Sequence, residues 1–383
     1  MRKHWIGALL VVLAAAFGTP APADTVSDPA RAELARGEER LSAMDYPGAE
    51  AQLRSVIQTY PTSEWAWWAR VRVSESLLHQ GKLEDCILEA RKVVNMHPVA
   101  APRVAAAWAQ LYVGLSYKAK SEPESARCEL EKVRSLLADD PDRGPLLMAL
   151  CNLSLICHEM NDRQGAIALA KEVLAEPTAS ELDRARALVS LGSALVGERR
   201  LAEGLAELQK VRVLYSHLDE PVSAAERKIF ESGYIGCHDY DGAIREARAI
   251  LSIEGVSERR ARQARYYLAL ALLYQKKPDA ALVEAQALLD TYPNPLDDHR
   301  LCHTIRARAY AMKKDYARAK DSLEAAMATN PTDTELRATI EWDLATCYRA
   351  VGDTARANEH YQRLVDEYPG SHLSLRAAAE LDR

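Results

Sequence analysis

The feature that most constrains this 383-residue chain is a repeat of about 38 residues that runs through most of its length. Each copy has a small residue as its anchor, and the nine anchors are Ala49, Cys86, Ala126, Ala166, Gly204, Ala243, Ala281, Ala319 and Ala357. Successive anchors are 37 to 40 residues apart. Seven positions after each anchor stands Val, Ile, Leu or Ala, and nine positions before it stands Leu, Tyr or Cys in every copy except the first. Three columns in register predict nine copies of one structural unit.

The last copy, residues 336–372, shows how one unit is built. Two sets of residues lie at helical spacing on either side of a break: Leu344, Ala345 and Tyr348, then Ala357, Tyr361 and Leu364. Gly352-Asp353 forms the break, and Pro369 ends the second helix. The small anchor lets the two helices approach closely, and the larger residue nine positions earlier fills the gap. Each helix pair leaves one apolar face uncovered, so successive pairs must stack.

This pattern resembles the tetratricopeptide repeat, in which L-G/A-x-x-Y on a first helix precedes A-x-x-x-F and Pro on a second. The resemblance covers residues 28 to 383 and implies an all-α fold. It implies a right-handed superhelical solenoid of about nine helix-turn-helix repeats, with one array over residues 24–370 and a C-terminal capping helix over 371–383. The period exceeds the family's roughly 34 residues. The extra residues fall after the second helix, as in the segment from Tyr292 to Pro295, and predict long connectors.

The fifth and sixth repeats are the least regular. Gly204 and Glu231 depart from their columns, and Gly233 and Gly236 weaken the helix that would contain them. We expect looser packing there, or an alternative register.

Residues 1–23 have the pattern of a secretory signal peptide. Arg2 and Lys3 precede an uncharged apolar run of 13 residues, and Ala21-Pro22-Ala23 is a small-x-small cleavage site. An uncleaved membrane anchor is the competing interpretation, but the run is shorter than the roughly 20 residues that span a bilayer. We therefore expect cleavage after Ala23, export to the periplasm or beyond the cell, and no membrane insertion of the mature chain.

The overall charge argues against nucleic acid as a partner. The formal net charge is −6, and removal of the signal leaves 47 basic against 55 acidic residues. Phosphate binding needs a basic stripe, which such a surface does not supply. The sequence also lacks G-x-S-x-G, a phosphate-binding glycine loop and H-E-x-x-H. These absences favour a binding protein without a cofactor over an enzyme.

Seven cysteines in an exported protein raise the question of disulfides. Their number is odd, no C-x-x-C occurs, and the cysteines lie on helices of different repeats. Cys86 occupies the anchor column and Cys157 the column nine positions before an anchor, where cysteine serves as a compact apolar residue. We therefore predict free thiols.

A metal site is the alternative that the sequence leaves open. Asp298, His299, Cys302 and His303 form the best cluster, because His299 and His303 share a helix face at i, i+4. The three Cys-His dipeptides of the chain fall at different places in their repeats, which argues against a common site. A metal- or small-ligand-binding protein that uses this cluster is therefore the alternative function.

In the resembled family the first helices line a concave groove, with inward residues about 18, 15, 11 and 8 positions before each anchor. We expect partner contacts from Trp68, Val71, Trp108, Leu111, Tyr112, Leu115, Leu155, Tyr266, Arg308, Trp342 and Arg349. The same slots hold Met148, Cys151, His158, Leu270, Leu273 and Thr304. Trp68, Trp108 and Tyr112 would form the centre of the groove. The competing interpretation is that several of these residues, Tyr266 and Leu273 especially, pack between adjacent first helices.

The resemblance also bears on the partner. The lysine and asparagine clamp that holds a chaperone's C-terminal carboxylate in some cytosolic members is not expected in these slots. Tyr60-Pro61-Thr62-Ser63 and Tyr368-Pro369-Gly370-Ser371 resemble the repeat ends of exported bacterial members that act in outer-membrane assembly and cell-envelope coordination. The resemblance therefore implies an exported scaffold that binds a protein or peptide.

Overall fold

The structure is a computed structural model. It describes residues 28–137, 140–291, 297–329 and 334–382, without the side chains of residues 297–300. The predicted signal peptide and the segment from Tyr292 to Pro295 lie outside the described residues.

The described residues form α-helices and contain no β-strand. The helices are α1 (Pro29–Ser42), α2 (Tyr46–Thr59), α3 (Glu64–His79), α4 (Leu83–Met96), α5 (Arg103–Ala119), α6 (Pro123–Leu136), α7 (Gly144–Glu159), α8 (Arg163–Ala175), α9 (Glu181–Gly197), α10 (Leu201–Leu214), α11 (Asp219–Lys228), α12 (Tyr240–Leu251), α13 (Glu258–Tyr274), α14 (Pro278–Thr291), α15 (Asp297–Met312), α16 (Tyr316–Ala328), α17 (Thr334–Ala350), α18 (Thr354–Glu367) and α19 (His372–Leu381). A π-helix, Ile229–Ile235, continues α11.

The helices pair in chain order from α1 with α2 to α17 with α18, and α19 packs on the last pair. The predicted nine helix pairs and the C-terminal helix are therefore confirmed. The chain divides into two compact units, one up to Tyr215 and one from Ser216 onward. The first unit contains α1 to α10 and the second contains α11 to α19. The single array over residues 24–370 stays a prediction.

The turn inside every pair uses the same backbone device. The residue five positions before each anchor has a positive φ, and the nine residues are Met44, Gly81, Ser121, Asn161, Arg199, His238, Lys276, Lys314 and Gly352. A left-handed residue at this place ends a helix by turning the chain back on itself. In five pairs the next residue is an aspartate whose carboxylate accepts a backbone N–H of the second helix: Asp45, Asp162, Asp239, Asp315 and Asp353. The turn residue and the aspartate after it thus determine where the first helix of a pair ends and the second begins.

The anchors lie where the two helices of a pair meet. All nine are buried, which confirms the assigned register. Within the fifth pair the two helices pack closely, so the expectation of looser packing does not hold at the Gly204 contact. A Cβ on Gly204 would lie 2.6 Å from the carbonyl oxygen of Gly192, and only two glycines allow this approach. The sixth repeat is irregular as expected, because its first helix widens into the π-helix and leaves Glu231 exposed.

A recurrent polar contact joins the first helix of a pair to the second. It links the residue 16 positions before the anchor to the residue three positions after it. The pairs are Glu33 with Gln52, Arg70 with Glu89, Gln110 with Glu129, Arg265 with Glu284, and Glu341 with His360. Side chains of complementary polarity therefore bridge the helices beside the apolar contact.

All seven cysteines are free thiols. Cys86 and Cys157 are buried in their columns, which confirms that they serve as compact apolar residues. Only Cys128 and Cys237 are exposed.

Candidate partner-binding surface

The first helices of the first unit are more deeply buried than the groove prediction requires. In α5 every residue from 105 to 116 is buried. The stretch from 104 to 117 carries no charged residue, and a helix without a polar face must be covered on all sides. Helix α5 packs on α3 and on α7 as well as on the second helices beside it. Its inward slots therefore face neighbouring first helices.

This packing corrects the predicted centre of the groove. Trp108 is 2% exposed and Tyr112 is 0% exposed, and their rings stack with centroids 6.2 Å apart. Val71, Leu111 and Leu115 are buried as well. The expectation that these five residues face an open groove is wrong, because side chains of adjacent repeats already cover them.

Tyr112 instead lies beside a buried charge network between the first two repeats. The Arg72 guanidinium donates to the Glu38 carboxylate at 3.0 and 3.1 Å and to the Glu75 carboxylate at 3.0 Å. Burial, and after it the nearby Glu75 carboxylate, raise the pKa of Tyr112 well above its ordinary value. Two carboxylates around one guanidinium satisfy the buried charges. The network therefore joins α1 to α3, and the burial of Tyr112 beside it leaves no open surface there.

The inward surface opens again on α7. Leu155, one of the predicted contact residues, is 40% exposed. The Lys118 Nζ of α5 donates to the Asn152 Oδ1 of α7 at 3.0 Å. The Asn152 amide is itself oriented, because its Nδ2 donates to the Met148 carbonyl at 2.9 Å. We call the group of Lys118, Asn152, Leu155 and Arg186 the Lys118 site.

The electrostatics of the Lys118 site favour an anion. The pKa of Lys118 is lowered to about 8, mainly by burial; the Glu159 carboxylate opposes this shift, and the positive charge of Arg186 on α9 contributes to it. The ammonium group still carries its proton most of the time at neutral pH, since its pKa lies above 7. Lys118 thus meets the helix that carries the exposed Leu155, and Arg186 of the next repeat lies close enough to act on the charge of Lys118. The arrangement can hold a carboxylate beside an apolar side chain.

The sequence prediction missed three of these four residues. Lys118 lies eight positions before Ala126 and Arg186 lies 18 before Gly204, so both occupy inward slots. Asn152 lies 14 before its anchor, outside those slots. Single charged residues in inward slots of otherwise apolar first helices were the available signal.

The remaining predicted residues are partly accessible. Trp68 is half-buried against the core of the first unit. In the second unit Tyr266 is half-buried, with its ring edge-on to that of Tyr267 at 5.0 Å. Arg308 is exposed and pairs with Asp343 at 3.6 Å. Their contacts with a partner stay predictions.

The C-terminal residues of the predicted groove engage the last helices. Arg349 pairs with Glu380 of α19, and its guanidinium lies 4.9 Å from the centroid of the Tyr361 ring. Trp342 is edge-on to Tyr361 at 5.4 Å and carries the Arg376 guanidinium 4.3 Å above its ring. These cations are neutralised or stacked within the chain.

The metal alternative finds no support among the described residues, which contain no group of three potential metal ligands. Cys302 is buried and His303 is half-buried, and the side chains of Asp298 and His299 lie outside the described set. No helix in the described ranges has the length and apolar character to span a bilayer.

Comparisons with known proteins identify the repeat. Two family models, each described as a tetratricopeptide repeat, match residues 263–295 and 310–380. No curated protein matches the chain. The apo form of RapI aligns with 93% of this chain and 99% of its own, at 12% identity and a TM-score of 0.63.

Two further solved structures have the same fold. The apo quorum sensor NprR from B. thuringiensis aligns over 88% of this chain and 97% of its own, at 12% identity and a TM-score of 0.60. The human IFIT1 dimer with m7Gppp-AAAA aligns over 94% of this chain and 81% of its own, at 13% identity and a TM-score of 0.54. At such low identity these likenesses concern the fold.

Proposed function

Because this chain is a tetratricopeptide-repeat protein, we propose that it is a binding scaffold for a segment of another protein or a peptide, and not an enzyme. The observation that carries the proposal is the Lys118 site, where Lys118 of one repeat donates to Asn152 of the next, on the helix that also carries the exposed Leu155.

The chemistry of the site indicates the kind of segment that it holds. A carboxylate can pair with Lys118 and Arg186, and an apolar side chain beside it can cover Leu155. The solved relatives support a binding role without identifying the ligand, since one is a quorum sensor and another holds m7Gppp-AAAA. The net charge of −6 favours a peptide over RNA for this chain. The ligand is therefore an acidic segment with an apolar residue.

A photo-crosslinking amino acid at position 155 tests the site in the full chain. It should capture a partner in producing cells, and the same amino acid at exposed Ala168 on α8 should not. The identified partner should bind Lys118→Gln about tenfold more weakly, as expected for loss of a charged hydrogen bond. Lys171→Gln, which alters an exposed lysine on α8, is the matched control. Equal capture at both positions, or equal binding by both lysine variants, would contradict the proposal.

We further propose that the protein is exported and acts in assembly or maintenance of the cell envelope. The support is the pattern of Arg2, Lys3, the apolar run and Ala21-Pro22-Ala23. N-terminal sequencing of the protein from cells should begin at Asp24. A chain that still begins at Met1 in the membrane fraction would overturn the export proposal and leave the Lys118 site untouched.

A further inference from the structure

The column 13 positions before the anchor has one exception. From the second repeat onward this residue lies on a first helix that follows another helix pair. It is apolar and buried in seven repeats: Val73, Val113, Leu153, Leu191, Phe230, Leu268 and Leu344. In the eighth repeat it is Arg306, which is half-buried. A core position is therefore occupied by a charged residue in one repeat.

Arg306 lies in an open recess between α14 and α15. The recess has a volume of about 410 Å³, and α14 contributes Leu282, Val283, Gln286 and Asp290 to its wall. Helix α15 contributes Arg306 and Tyr310. Val283 is 66% exposed, so the recess is accessible from outside the chain.

The next junction, between α16 and α17, shows how the same place is filled elsewhere. Leu344 is buried there in the position of Arg306. The Tyr348 hydroxyl donates to Glu324 at 2.9 Å, and the Lys320 ammonium lies 5.9 Å from the centroid of the Tyr348 ring. In the α14–α15 junction, Tyr310, Gln286 and Leu282 hold the positions of these three residues. Tyr348 thus contacts Glu324 and Lys320 of the preceding helix, whereas Tyr310 borders a recess at the corresponding place.

The charges in the recess are unevenly distributed. Arg306 forms no ion pair or hydrogen bond within the described part of the chain. Asp290 on the opposite wall accepts a hydrogen bond from the Gln286 Nε2 at 2.7 Å. A half-buried guanidinium without a counter-ion is destabilising, whereas leucine at this position would complete the core. A local departure of this kind is typical of a functional site.

We propose that this recess is a docking site for an acidic segment of a partner protein. An apolar side chain of the segment enters between Leu282, Val283 and Tyr310, and an adjacent carboxylate pairs with Arg306. The Asp290 carboxylate repels that group from the other wall and so sets the direction of the segment. A small molecule in so open a recess would keep much of its surface in water, whereas a protein segment brings its own cover. This surface belongs to the second unit and is independent of the Lys118 site.

An array of nonapeptides can test the docking site with the full mature chain. Every chain tested, the wild type at position 306 included, carries Lys118→Gln, because the Lys118 site is proposed to hold the same kind of segment. Each peptide has Leu, Phe or Trp at its centre, both neighbours are Glu, Gln or Lys, and the remaining positions are Gly and Ser. The chain should bind apolar–Glu peptides about tenfold better than the Gln series, and the Lys series least, because only a carboxylate can pair with Arg306. Arg306→Glu should reverse the preference between the Glu and Lys series. Absence of binding to every peptide, or the same profile for the wild type and Arg306→Glu, would overturn the proposal.

A second variant separates binding from stability. Arg306→Leu restores the residue type of the other repeats, so it should raise the denaturation midpoint while it lowers binding of the Glu series about tenfold. Arg248→Leu, an exposed arginine on α12, is the control and should leave the peptide profile unchanged. If Arg306→Leu binds the Glu series as well as the wild type does, or lowers the midpoint, the proposed role of Arg306 is wrong.

Discussion

The turn glycine of the last repeat offers a sharp test of how the repeats are held in phase. Gly352 has a φ of 87°, and a Cβ added there would meet no atom within 4 Å. Gly352→Ala therefore introduces no clash and acts only through backbone conformation. An L-residue in the left-handed region costs about 1–2 kcal/mol, so we expect the variant to lose that much unfolding free energy.

The opposite change should have the opposite sign. Lys276 occupies the same place in the seventh repeat with a φ of 59°. Lys276→Gly removes the conformational cost but adds freedom to the unfolded chain, so we expect a gain of less than about 1 kcal/mol. At this position of the turn, replacing glycine by alanine should therefore destabilise one repeat, and replacing lysine by glycine should stabilise another.

Urea unfolding followed by circular dichroism at 222 nm measures both effects, since the midpoint reports stability when the slope is unchanged. Gly370→Ala is the matched control. It adds the same methyl group, also meets no atom within 4 Å, and does not lie in the left-handed region. If Gly352→Ala and Gly370→Ala shift the midpoint equally, the turn conformation does not contribute to stability and the reasoning fails.

Three further predictions concern packing, pH and thiols. Ala281→Leu should overpack a fully buried helix contact and cost about 1–3 kcal/mol, and an unchanged midpoint would contradict the assigned register. His79 stacks on Tyr46 at 4.6 Å, and burial lowers its pKa from 6.5 to about 4. The unfolded chain takes up this proton first, so stability should fall by up to about 3 kcal/mol as pH drops from 6.5 to 4. Urea unfolding at a series of pH values should show a smaller loss of stability for His79→Gln than for the wild type. An equal loss in both proteins would refute the assignment of this pH dependence to His79. Thiol titration of the native protein should modify Cys128 and Cys237 and reach all seven cysteines after denaturation, whereas more than two fast thiols would contradict the burial.

The local parts of the fold could be predicted because their causes lie close together in the sequence. The anchors, the turn residues and the aspartates that cap second helices are each separated by only a few positions. Helical spacing and the small-residue contact depend on neighbours within one repeat. The number of helix pairs and their register therefore followed from the sequence. The sequence predicted only an irregularity around Glu231. It did not predict that this segment is a π-helix, because that choice depends on packing that a single repeat does not define.

Which inward surface stays open was decided by contacts between repeats. Trp108 and Tyr112 are the residues that the sequence analysis placed at the centre of a groove, yet neighbouring first helices cover both residues. Lys118 and Asn152 are 34 residues apart and meet only when two repeats stack.

The case of Arg306 shows both contributions. The sequence by itself placed Arg306 in a column that is otherwise apolar from the second repeat onward, because column membership depends only on spacing. Only the tertiary structure shows that this arginine borders a recess and has no counter-ion within the described part of the chain. The physical reason is that burial and ion pairing depend on side chains of the adjacent repeat. Where a helix begins and ends, and which residues share a column, depend on residues a few positions away.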